Sequence, residues 1–173
     1  MIQNPDNFFE QLQNEVATKL ATTAPFSSIK FPDGRAWFAL TEDEGDIQFE
    51  FDTMIGVVGL SIVVYAAEGD VTQPDMPGPV LGNLNFDVGV FESPEFNRTE
   101  TGTGLRIARA CNIVMGTLHG FEPQATSLNP LYCKGIRRGV PQRLYATKDD
   151  TDGILTISRK VNFECPIVSA EIT

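Results

Sequence analysis

The chain has 173 residues (19.0 kDa), of which 42% are hydrophobic and 21% charged; this composition excludes wholesale disorder and a fibrous repeat and predicts a single globular domain, 1–173. Thirteen Lys and Arg against 23 Asp and Glu give a net charge of −10, a field that repels nucleic acid. No apolar run approaches the roughly 18 residues of a membrane span, and MIQNPDNFFEQL lacks a basic region followed by an apolar one, so neither membrane insertion nor secretion is expected.

A first helix is predicted over about 5–22. Asn4 can cap it, Pro5 suits its first position, and Phe8, Phe9, Leu12, Val16 and Leu20 recur at helical spacing. Pro25 forbids continuation. From Ser28 the period falls to two: Ile29 and Phe31 alternate, Pro32-Asp33-Gly34 turns the chain, and Arg35 to Leu40 reads as a strand holding Trp37. Ile47, Phe49 and Phe51 alternate with acids and predict a half-buried strand. Val58, Leu60, Ile62 and Val64 form the next strand, with Val57, Val63 and Tyr65 making its other face apolar too.

Glu68 to Gly82 holds Pro74, Pro77 and Pro79 and reads as one long loop, an arm for a partner. Leu84, Phe86, Val88 and Val90 restore the strand. SPEFNRTETGTG makes a second Gly-containing loop. A second helix over about 103–119 carries Ile107, Ala108, Cys111, Val114, Met115 and Leu118 on one face, with Thr103 as cap and Gly120 as stop after His119. A basic loop, a short strand at Leu144-Tyr145-Ala146, a turn at Asp149 to Gly153 and a long last strand complete the chain. The absence of a βαβ alternation predicts an α+β fold: a mostly antiparallel sheet packed by two helices, with long Pro/Gly-rich loops.

Catalytic, cofactor and metal signatures are sought without result. Cys111, Cys133 and Cys165 are odd in number and lack CxxC spacing, against a disulfide framework or zinc site and in keeping with a reducing, intracellular place of synthesis. His119 is the single histidine and fits the helix dipole; Cys111 on an apolar face is inert. Gly102-Thr103-Gly104 before a helix could cradle an anion, but a tight turn is the plainer reading. Asn97-Arg98-Thr99 matches a glycosylation sequon that reads as chance. No catalytic, cofactor-binding or metal residue is therefore assigned, and no cofactor is expected.

Charge is distributed unevenly. Residues 42–52 carry six acids (Glu42, Asp43, Glu44, Asp46, Glu50, Asp52) and no base; residues 134–148 carry five bases (Lys134, Arg137, Arg138, Arg143, Lys148) and no acid. Either these are two solvated segments or they pair, within one subunit or between copies arranged head to tail. The between-copy arrangement predicts Arg137 or Arg138 near an acid of the next subunit.

From Leu60 to Pro123 the order LSIVVYAAEGD, PDMPGPVL, VFESPEFNR, TGTGL and LHGFEP resembles tail-completion or tail-terminator-like proteins of tailed bacteriophages, most specifically over 92–120. The resemblance implies a structural virion protein and not an enzyme. It implies a homohexameric ring that caps the tail tube, joins it to a neck or head-completion protein, and passes the genome without sequence-specific binding, after assembly in the host cytoplasm. Head–tail connector or neck subunits, and minor tail or baseplate subunits, are the nearest alternatives. A small carboxylate hydrolase using His119 is a more remote one.

Overall fold

The computed structural model describes residues 8–42, 46–65, 68–72, 80–126, 129–144 and 153–169. Its elements run α1 (Phe8–Ala21), β1 (Leu40–Thr41), α2 (Ile47–Val57), β2 (Leu60–Val64), β3 (Glu68–Thr72), β4 (Val80–Glu92), α3 (Ile107–Leu118), β5 (Tyr132–Arg138), β6 (Gln142–Leu144) and β7 (Ile154–Ser169). The fold is α+β, as the element order predicts. Among the described residues seven strands form one sheet, ordered β1-β2-β4-β7-β5. All pairings are antiparallel except β1 with β2. The long strands β4 and β7 form the spine. β2 and β3 share the outer edge of β4, and β5 and β6 share that of β7.

Register decides what each face buries. Phe86 lies opposite Phe163, Val88 opposite Val161 and Leu84 opposite Cys165, so these six share one face with Leu60, Ile62 and Val64. All are buried. α1 and α3 cover that face, α3 lying on β4 and β7 and α1 on β1 and β2. Leu12, Val16 and Leu20 of α1 and Ile107, Cys111, Val114 and Leu118 of α3 enter the same core, as their spacing predicts, while Phe9 is 43% exposed. Every residue of β2 is buried because α2 covers its other face: Phe51 meets Phe91 edge to face, and Ser61 Oγ donates to Met54 Sδ.

Four expectations are corrected. The predicted strand at Ile47, Phe49 and Phe51 is the helix α2. Ile47, Phe51, Met54, Ile55 and Val58 recur at helical spacing, so the covered face is made by four-residue steps and the two-residue alternation is incidental. Phe49 is thereby turned outward. The predicted loop 68–82 begins as strand β3 and ends in β4; its prolines fall between, in 73–79, so neither strand is broken by one. The arm expected there lies outside the described residues. The predicted basic loop is strand β5, and the strand at 144–146 is β6, which ends at Leu144; residues 145–150 lie outside the described ones. The strand at Arg35 to Leu40 shortens to β1 and a single bridge, Lys30 to Ala36, around a turn where Gly34 has φ 86°. The caps suggested at Asn4 and Pro5 also lie outside the described residues.

Candidate interaction surfaces

The segment of strongest family resemblance is built around Glu92. The alternation Leu84, Phe86, Val88, Val90 places residue 92 at the next inward position, so this carboxylate is carried into the core and is fully buried. Its oxygens are all but saturated: Asn97 Nδ2 donates at 2.9 Å, Arg106 Nε lies at 2.8 Å, and the Ile107 backbone N–H donates at 2.8 Å. The last contact caps α3. A carboxylate from a neighbouring strand thus takes the place predicted for Thr103, at the end of the helix dipole that favours negative charge. Thr103 instead tightens the approach: its hydroxyl donates to Asn97 Oδ1 at 2.6 Å and accepts from Leu105 N–H at 3.0 Å.

Asn97 is the hub. It is fully buried and also donates to Leu105 O at 3.1 Å, so the sequon Asn97-Arg98-Thr99 presents no accessible amide. A Cβ on Gly59, which has φ 72°, would lie 2.2 Å from Asn97 N, and one on Gly102 would lie 2.4 Å from Phe96 O. Backbone therefore passes backbone at distances only glycine permits. The Gly102-Thr103-Gly104 turn is a packed corner. Its three N–H groups donate to Thr99 O, Val58 O and Asn97 O. With Ile107 N–H bound to Glu92, these donors are already engaged internally, which decides against the anion cradle. A cleft of about 520 Å³ beside this turn has Lys30, Arg109 and Glu100 on its walls.

The other singled-out residues take structural positions. His119 is the C-cap of α3, and Gly120 follows with φ 79°, as the stop signal predicts. His119 Nδ1 accepts the Cys133 N–H at 3.2 Å and its ring meets Tyr132, so it ties α3 to β5. Cys111 is fully buried; burial pushes its thiol up to about 11, with the Arg159 charge acting weakly against it. Burial also raises the Cys165 thiol. Among the described residues no three His, Cys, Asp or Glu side chains gather as a metal site, and no helix is long and apolar enough to cross a membrane.

The described parts of the two charged segments lie at opposite ends of the sheet. α2 carries Glu50 and Asp52, with Asp46 at its N-cap, and packs on β1 and β2. β5, at the far edge beyond β4 and β7, carries Lys134, Arg137 and Arg138. No described ion pair joins Arg137 or Arg138 to Asp46, Glu50 or Asp52. Lys134 pairs instead with Glu164 at 2.6 Å. Residues 43–45 and 145–150 lie outside the described ones. What the sequence reading missed is Glu92, although the alternation that buries it was legible, and the outward aromatic Phe49, 70% exposed.

No protein-family model and no curated protein matches the chain. A chain from the solved virion of a native gene transfer agent particle superposes with a TM-score of 0.47 at 13% identity, covering 91% of this chain and 95% of that one.

Proposed function

We propose that the protein is a structural virion subunit of the phage tail, a tail terminator that closes into a homohexameric ring on the tail tube and presents the surface that joins a neck or head-completion protein. The observation that carries this reading is the inequality of the two sheet edges, one acidic and one basic, within a single subunit. A subunit with two different complementary surfaces associates heterologously, and such contacts close into rings when the rotation permits. The resemblance over 92–120 supports it. The role is mechanical and not enzymatic, the chain is one domain, and its place is the virion after assembly in the host cytoplasm. The genome passes through the ring, and the net charge of −10 disfavours any grip on phosphate.

The test is to add the purified chain to growing tail tubes and image them by electron microscopy. The expected result is a ring at one tube end and arrested elongation. Unaltered tube growth with no end-bound density would refute the assignment; binding to the portal in place of the tube would move the protein to the neck.

A further inference from the structure

We infer that the subunit contact is anchored by Phe49, which inserts from α2 of one copy into the basic β5–β6 edge of the next. The inference deepens the ring reading and rests on it. Three observations converge. First, Phe49 is 70% exposed in the first turn of α2. Asp52, three residues after it, lies on the same helical face, and Asp46, the exposed N-cap residue, stands just before the helix begins. An exposed aromatic flanked by acids has the anatomy of an interface anchor with a charged rim.

Second, the β5–β6 edge offers the complement. Val140, in the connection between β5 and β6, is 75% exposed, and Ile136 is 38% exposed. In sequence they alternate with Arg137, Arg138 and Arg143; Ile136 shares a sheet face with Arg138, and Arg137 lies on the other face of the same edge strand.

Third, the basic edge is electrostatically incomplete in the single subunit. Register sets Arg137 directly opposite Lys160 and Arg138 directly opposite Arg159. Like charges facing each other across a strand pair are unfavourable. Among the described residues one carboxylate meets these four cations, Asp87 at 3.5 Å from Lys160. An anionic partner relieves that repulsion, and the acidic face at the opposite sheet edge supplies it from a second copy. The occupant is this chain itself, because the same molecule carries an apolar anchor with acids on one edge and an apolar patch with bases on the other.

The experiment uses full-length protein in sedimentation velocity and native mass spectrometry. The parent should self-associate at 0.1 M salt and dissociate as salt rises to 1 M, where the Debye length falls from about 10 Å to about 3 Å. Phe49→Ala should raise the dissociation constant about thirtyfold, the size of a hot-spot truncation. Arg137→Glu with Arg138→Glu should do the same from the other side. The decisive step is to mix these two variants. Each retains one intact surface, so the mixture should give 1:1 dimers that cannot grow. A parent that stays monomeric, a variant that assembles like the parent, or a mixture that stays monomeric overturns the proposal. So does retention of a fluorescent DNA duplex through Arg137 and Arg138, which would make nucleic acid the occupant. Circular dichroism of both variants checks that each is folded. Assembly through these edges without tube binding would leave this contact standing and remove the tail-terminator reading; tube binding with Phe49→Ala assembly unchanged would do the reverse.

Discussion

Glu92 and the β5 edge are two answers to the same problem, charge on a strand. Glu92 is carried into the core and meets an amide, a guanidinium and a helix N-terminus. Arg137 and Arg138 stay exposed, face Lys160 and Arg159, and no carboxylate is described beside either of them. The first charge is resolved within the subunit and fixes how strand, corner and helix join. The second is left unresolved. Internally satisfied charge therefore marks what holds the fold, and unsatisfied charge at an edge marks what the fold can join.

The contrast breaks most visibly at Glu92. Glu92→Ala strands the Ile107 N–H and the Asn97 amide in the core and should destabilise by about 3–5 kcal/mol, as expected when one partner of a buried pair is removed. Denaturant unfolding measures it; a loss below 1 kcal/mol would mean the cluster does not hold α3. Leu118→Ala, at the far end of the same helix and fully buried, should cost about 2–5 kcal/mol by leaving a cavity over the sheet. A near-zero change would show that the C-terminal turn of α3 does not pack as described.

Much of this was legible. The inward alternation of β4 and the four-residue spacing of α3 both follow from apolar residues that face a single neighbour. The reading failed where two periods overlap. Ile47, Phe49 and Phe51 satisfy a two-residue period while Ile47, Phe51, Met54 and Ile55 satisfy a helical one, and only the presence of β2 beneath α2 decides between them. The Glu92 cluster joins residues 92, 97, 103 and 106 through side-chain geometry, which spacing alone does not encode. The charge asymmetry was visible as two runs, but their placement at opposite edges depends on strand order, a property of the folded sheet.

Cys111 sharpens the comparison, because Arg159, the residue beneath Arg138, also acts on it from the helix side of the sheet. Burial keeps the thiol protonated to about pH 11, whereas an unfolded cysteine ionises near 8.5. Above pH 8.5 the unfolded chain then binds fewer protons than the folded one, so stability falls as pH rises toward 11. The Cys165 thiol, also raised by burial, acts in the same direction. Unfolding midpoints measured from pH 8 to 11 should decline, and Cys111→Ala should flatten part of that slope. In the folded protein at pH 8, iodoacetamide should spare Cys111 and Cys165 and modify the partly exposed Cys133 first. Rapid labelling of Cys111 would contradict its burial.

The smallest expected effect separates the two kinds of charge most cleanly. Arg138→Glu places a carboxylate directly across from Arg159, turning a like-charge cross-strand pair into an opposite-charge one. Such exchanges are worth about 0.2–1 kcal/mol in a sheet. The isolated subunit should therefore become slightly more stable, measured by denaturant unfolding at concentrations where it is monomeric. Assembly should move the other way, because the same substitution removes a base from the surface that meets the acidic helix. A substitution that strengthens the subunit and weakens the ring is the signature of a charge retained for contact with another molecule. If Arg138→Glu destabilises the monomer by more than about 1 kcal/mol, the arginine is a structural residue of β5, and its edge resolves charge internally just as the Glu92 cluster does.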